Sequence, residues 1–175
     1  MQEKIFFQKV NLWRDHEGVS RLVRGARLAE VARRLAGATA IRAWHDHALF
    51  KPGGEESRAS AWHQDLPYWP MNEPGALSCW LALDDVGPTN GCMHFIRRSH
   101  LVGRLDPISL TDPQDIFSLV PQEHREAVDP ASYVAAMSAG SCAFHNGLTF
   151  HYAPPNRSGV VRRAFVVIYM PDGTT

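Results

Sequence analysis

From Thr39 onward the chain is a series of short apolar runs, most of them bounded by turn signals. ATAIRAWHDHALFK leads into Pro52-Gly53-Gly54, GALSCWLALDD into Gly87-Pro88, and CMHFI follows Asn90-Gly91. Toward the C-terminus come SCAFHN, LTFHYA and RRAFVVIYM, separated by Asn146-Gly147 and by PPNRSG. Many short strands of this kind favour a sandwich or barrel over a doubly wound sheet. Asn-Gly between two apolar runs predicts a hairpin at 146–147. Ahead of the strands, residues 20–36 place Leu22, Val23, Ala26, Leu28, Val31, Ala32 and Leu35 near helical spacing, with arginines on the other face and Gly37 as a C-terminal stop. The chain therefore reads as mainly β, with an N-terminal helical part.

At 175 residues, residues 1–175 are expected to form a single domain with a real core. Eighteen basic residues balance eighteen acidic ones. That argues against a nucleic-acid partner, because such proteins usually carry a basic surplus. Three widely spaced cysteines, Cys79, Cys92 and Cys142, suit thiols in a reducing compartment better than a disulfide framework. No stretch is long enough to span a membrane, and MQEKIFFQKVNLW lacks the apolar core of a signal peptide. A cytoplasmic location is the resulting expectation. Residues 100–130 differ from the rest: they are rich in Pro, Asp, Ser and Gln, and Pro107, Pro113, Pro121 and Pro130 interrupt any long element. Such an insertion in a β-domain is expected to be a lid or substrate loop and the least regular part of the chain.

The chemistry-bearing residues are His63 and Asp65 in WHQDLPYWP, and His151 in LTFHYAPPNR, eleven positions before Arg162. In an extended segment, residues at i and i+2 project to one face, so His63 and Asp65 could grip a metal from one short piece of chain. His151 would have to come from another strand. Two imidazoles and one carboxylate suit Fe(II), Mn(II) or Zn(II), and leave open positions on an octahedral ion. A single H-x-D is often incidental; the later histidine and arginine give this one weight. Arg162 offers a fork of donors that matches a carboxylate, and strand alternation should turn Arg163 the other way. Arg157, in a loop, ranks behind it. His16, His45, His94, His100, His124 and His145 show no spacing that demands a metal. No nucleophile elbow, P-loop or dinucleotide fingerprint is present.

With these motifs in their order, the chain resembles the phytanoyl-CoA dioxygenase family of Fe(II)/2-oxoglutarate-dependent oxygenases. The likeness runs through FFQKVNLW, HDHALFKPG, WHQDLPYWP, GALSCWLALDD, NGCMHFIRRSH, GLTFHYAPPNRSGVVRRAF and YMPDGT. It implies a double-stranded β-helix, the cupin-like jelly roll. It also implies iron ligands at His63, Asp65 and His151, and a carboxylate clamp for 2-oxoglutarate at Arg162. Lys9, His47 and Trp80 fall where relatives line the cosubstrate site. Where relatives often place a serine two residues after the last histidine, this chain has Ala153, and Thr149 could compensate.

The activity implied is hydroxylation of an unactivated C–H of a small-molecule metabolite, using 2-oxoglutarate and O₂ and releasing succinate and CO₂. Asp65 occupies the position that is small in related halogenases, which favours hydroxylation. The family acts on acyl-CoA thioesters, amino acids and other metabolites, and no run here identifies a CoA site. The alternatives are a non-catalytic jelly-roll protein (or inactive fragment) that binds a metal or ligand, and a zinc hydrolase using the same ligands.

Overall fold

The computed structural model describes residues 6–111 and 115–175. Two antiparallel sheets face each other. The five-stranded sheet has the order β1-β2-β9-β4-β7 and the four-stranded sheet β3-β8-β5-β6. The strands are β1 (Phe7–Val10), β2 (Ile41–Lys51), β3 (Ser60–His63), β4 (Leu77–Ala82), β5 (Met93–Ile96), β6 (Ser132–Ala135), β7 (Cys142–Asn146), β8 (His151–Ala153) and β9 (Arg162–Pro171). From β2 to β9 the chain passes repeatedly between the sheets, which is the jelly-roll pattern expected from the sequence. No helix among the described residues is long and apolar enough to cross a membrane.

β9 shows why the layers form. Ala164, Val166 and Ile168 pack between the sheets with Trp80 of β4. Phe165, Val167 and Tyr169 face the other way, under the N-terminal helices. This two-residue period is what a strand buried on both faces requires. It also fixes the arginines. Arg162 shares the inward parity of Ala164 and is buried, whereas Arg163 is exposed and holds Asp84.

The helical stretch expected over 20–36 is two helices, α1 (Glu17–Val23) and α2 (Ala26–Leu35). Gly25 breaks it by taking an extended conformation (φ −63°, ψ 127°). A side chain there would lie 3.0 Å from the Leu22 carbonyl oxygen. The apolar faces of both helices still cover the five-stranded sheet, through Val23 and Ala32. The buried Asp46 carboxylate ties the preceding turn to β2 by accepting from the Leu12 and Trp13 amides.

Asn146-Gly147 is not a hairpin. β7 pairs with β4, and β8 pairs with β3 and β5, so this turn carries the chain from one sheet to the other. The reason lies in what Gly147 must touch. Its N–H donates to the Ala76 carbonyl, and its own carbonyl accepts from both Asp65 N and Leu66 N, all at 2.9 Å. A Cβ at 147 would stand 2.7 Å from the Trp69 ring. The turn is thus chosen for close packing against the loop after β3.

The described residues of 100–130 form no long element, but they are not empty of core. Val102, Ile116, Val120 and Val128 form a buried cluster with Ile96 and Phe150. Short 3₁₀ turns at Ser99–Val102, Ile116–Leu119 and Gln122–Ala127 place these apolar residues inward.

Gly147→Ala should lower stability by about 1–3 kcal/mol, the usual cost of overpacking a filled site. Urea denaturation measures it. Unchanged stability would mean that the Trp69 ring yields without cost.

Candidate active site

His63 ends β3 and His151 opens β8, and the two are paired across that ladder. Their rings lie 4.1 Å apart. Asp65 stands two residues beyond His63, already off the strand in a helical conformation (φ −80°, ψ −42°). The convergence of His63 and Asp65 therefore comes from the strand end turning under, held by the Gly147 carbonyl, and not from strand alternation. His63 Nε2 lies 3.7 Å and His151 Nε2 3.4 Å from Asp65 Oδ1. One ligand atom from each of the three residues falls within 4.8 Å of the others. Adjacent ligands about 2.0–2.2 Å from an octahedral ion would be about 3 Å apart. The three groups are thus spaced to hold a first-row ion with small adjustments.

The far side of each group is also arranged for this. His63 Nδ1 bonds to the Ala61 carbonyl at 2.7 Å, and His151 Nδ1 to the Thr149 carbonyl at 2.9 Å. A carbonyl can only accept, so each Nδ1 carries a proton and each Nε2 is the atom turned to the common point. Burial would lower the His151 pKa, but the Asp65 carboxylate outweighs it and raises it, so a metal would have to displace a proton from His151 Nε2. Asp65 Oδ2 accepts from Ser78 Oγ at 2.8 Å and lies 3.2 Å from His145 Nε2, leaving Oδ1 free. Burial alone would raise the Asp65 pKa. His151 and His145 outweigh it and hold the carboxyl well below the usual range. Burial pushes His63 down to about 3, so its imidazole stays neutral, as a ligand must be.

These residues open on a cavity of about 250 Å³. Its walls include His47, Trp80, Ala153 and Arg162, with Tyr68 and Leu110 among the residues around the ligand set. Arg162 donates from Nη2 to the Gly91 carbonyl at 3.0 Å, and its buried Nε has no partner. Its guanidinium carbon sits 5.1 Å from the Trp80 ring centroid. Burial lowers its pKa to about 10, so it remains charged. A buried, half-satisfied guanidinium that shares a cavity with a two-histidine, one-carboxylate set has donors to spare for an anion.

A match to the phytanoyl-CoA dioxygenase family model covers residues 1–164. The chain belongs to that family. It is 25% identical over 154 residues to a probable alpha-ketoglutarate-dependent hypophosphite dioxygenase of Stutzerimonas stutzeri, covering 87% of this chain and 53% of that protein. An ectoine dioxygenase of Bordetella bronchiseptica is 30% identical over 172 residues, covering 86% of this chain and 53% of the relative. The chain thus spans about half the length of these relatives. Among solved structures, the non-heme alpha ketoglutarate dependent carbocyclase SnoK from nogalamycin biosynthesis superposes with a TM-score of 0.82 at 29% identity, covering 97% of this chain and 65% of that one.

Two residues expected at the family's cosubstrate site lie elsewhere. Lys9 is exposed on β1, because alternation turns Gln8 toward the cavity instead. Thr149 is instead among the residues of a separate open groove between the free edges of β6 and β7, and its carbonyl is what meets the site, at His151 Nδ1. Four residues escaped the sequence reading: Ser78, His145, Ser60 and Lys51. Ser60 and Ala153 are paired across the β3–β8 ladder, and Ser60 Oγ accepts from the Ala153 amide at 2.9 Å. The inward parity of Ser78 with Trp80 on β4 offered a weak signal for one of them.

Gln64, between the two ligands of the motif, points the opposite way. Its amide donates to the Gly103 and Leu148 carbonyls at 2.7 and 2.9 Å, and its oxygen accepts from Leu105 N at 2.9 Å. Gln64→Ala should leave three backbone groups unpaired and cost about 1–3 kcal/mol for each that water cannot reach. Thermal melting would show the loss, and limited proteolysis should cut faster within 100–111. A variant with wild-type melting and cleavage would refute this anchoring role.

His47, half-buried beside His45, is pushed down to about 4 by desolvation. In the unfolded chain it titrates near 6.5. Its contribution to stability is therefore full above about pH 6.5 and lost as pH falls toward 4. His47→Leu should flatten that part of the metal-free protein's stability profile, measured by denaturation at several pH values. An unchanged slope would assign the acid loss to other groups.

Proposed function

We propose that this chain carries the Fe(II)- and 2-oxoglutarate-binding core of an oxygenase that hydroxylates a C–H bond of a small-molecule metabolite. One observation carries the reading: three ligand atoms, two on imidazoles whose far nitrogens are already committed, share a cavity with an under-satisfied buried arginine. The alpha-ketoglutarate-dependent relative and the structural neighbour support it.

Bound Fe(II), with 2-oxoglutarate and O₂, supplies the oxidising chemistry, which ends in succinate, CO₂ and a hydroxylated product. The chain supplies the rest. His63, Asp65 and His151 would hold the ion, leaving positions open to other ligands. Asp65 places one negative charge there and excludes a halide from its position. Ser78 and His145 fix the carboxylate so that only Oδ1 is offered. Arg162 takes the far carboxylate of the cosubstrate, with the Trp80 face against its guanidinium.

The volume narrows the substrate. Ligand pockets usually measure roughly 300–1,000 Å³. At about 250 Å³ the cavity suits the compact dicarboxylate and little more, so the substrate lies at the mouth, toward Tyr68 and Leu110. Leu110 belongs to the 100–130 segment, which we assign as the lid. Tyr68 Oη and the backbone of Ile108 bond in both directions, which docks this lid beside the ligands.

The test is substrate-stimulated succinate formation from 2-oxoglutarate with Fe(II) under air, screened across small metabolites. Asp65→Ala should abolish it. Arg162→Lys should raise KM for 2-oxoglutarate, because an ammonium cannot replace a bidentate fork. Succinate formation unaffected by Asp65→Ala would defeat the reading, and zinc-dependent hydrolysis without 2-oxoglutarate would replace it.

A further inference from the structure

Arg162 is not the only cation in the cavity. Lys51, the last residue of β2, is directly paired with Arg162 across the β2–β9 ladder, so both side chains leave the sheet on the same face. Both line the cavity, and both meet Gly91. Arg162 donates to its carbonyl, and a Cβ at Gly91 would lie 3.0 Å from Lys51 Cδ and 3.2 Å from Cε. Gly91 adopts φ +81° with its α-hydrogens turned toward the lysine stem, which lets the stem pass.

Lys51 is 1% exposed. Among the described residues its ammonium makes no hydrogen bond or ion pair, and Asp84, the carboxylate that acts on Arg162, is taken by Arg163. Lysine is almost never this buried unless paired. Two cations side by side without a counterion are costly in a poorly solvated place. Burial and the Arg162 charge push Lys51 down to about 7, which is the cost expressed as proton affinity. The arrangement is completed only by an anion. A third donor is available: Ser60 Oγ lines the same cavity and already accepts from Ala153 N, so its hydroxyl proton is free to be given.

We propose that Lys51 is a second cationic anchor for the far carboxylate of the cosubstrate, closing on it with Arg162 and the Ser60 hydroxyl. This rests on the 2-oxoglutarate reading above. It gives each carboxylate oxygen a charged donor, with Ser60 supplying the hydroxyl that Ala153 cannot.

The test uses Mn(II)-loaded protein without turnover, titrated calorimetrically with 2-oxoglutarate and with 2-oxopentanoate, which carries a methyl in place of the far carboxylate. Lys51→Met keeps the stem and removes the charge. It should weaken 2-oxoglutarate roughly 10–100-fold, the worth of a charge-assisted hydrogen bond, and leave 2-oxopentanoate within about threefold. Ser60→Ala should weaken 2-oxoglutarate alone by a smaller factor. Metal-free Lys51→Met should melt at or above the wild-type temperature, because an unpaired buried charge has gone. Equal loss of both ligands, or a lower melting temperature, would mean that Lys51 is a structural strut and overturn the proposal. So would wild-type affinity in Lys51→Met when Arg162→Met has lost it, and that result leaves the 2-oxoglutarate reading intact. Wild-type protein that binds neither 2-oxo acid would overturn both.

Discussion

The placement of Asp65 is the constraint on which the rest depends. It sits off the end of β3, outside any ladder, and its backbone is fixed by one acceptor, the Gly147 carbonyl. That carbonyl takes two N–H groups, while the Gly147 N–H goes to Ala76 just before β4. The carboxylate is then held from β4 by Ser78 and from β7 by His145. Four segments from both sheets meet at one side chain. An ionised carboxylate taken out of water costs several kcal/mol unless it is paired and hydrogen-bonded. Here the compensation comes from groups brought together only when the sandwich closes. The candidate metal-binding face is therefore a product of the tertiary fold, and the H-x-D motif alone does not make it.

The cavity is polarised by this construction. One end carries the Asp65 carboxylate with His63 and His151, the other Arg162 and Lys51. No acidic side chain among the described residues pairs with either cation, and Arg163 diverts Asp84 outward. A metal ion at the first end and an anion at the second each supply the charge its surroundings lack. A molecule with a chelating group and a distant carboxylate satisfies both ends at once, which is why the geometry favours a 2-oxo dicarboxylate over a simple anion.

The sequence revealed much of this, for identifiable reasons. β9 is an unbroken apolar run whose parity alone separates Arg162 from Arg163. β2, β4, β5 and β7 carry apolar residues dense enough to mark themselves. β1, β3 and β6 do not: Phe7–Val10 is exposed along its length, SAWH is four residues long, and Ser132–Val134 lies open at an edge. The Asn-Gly at 146–147 misled because a turn signal reports local backbone preference, whereas here the glycine was selected by the Trp69 ring and the Asp65 amide. Lys9 missed the cavity by one residue, the smallest register error a strand permits. Lys51, Ser60 and His145 were illegible, and Ser78 nearly so, because each meets its partner on another segment, with no spacing in the chain to announce it.

Gln64 shows how the same short motif serves two purposes. His63 and Asp65 face the cavity, and the residue between them faces away, bonding to Gly103, Leu105 and Leu148. Ala61, two residues before His63, donates from its amide to the Leu110 carbonyl. The Ala61 carbonyl, in turn, orients the His63 ring. The segment that borders the mouth is thus bonded to the backbone that carries two of the three ligands, through hydrogen bonds that alternate from one side of the strand end to the other. Its apolar residues anchor a separate cluster around Ile116 and Phe150, and Phe150 precedes His151 directly. A displacement of 103–110 would strain His63, Asp65 and His151 together, because each is one or two residues from a contact with that segment or its core. Contacts made at Tyr68 and Leu110 are in this way mechanically close to His63, Asp65 and His151, and the link runs through backbone groups of 103–110 that side-chain variation in the segment would leave in place.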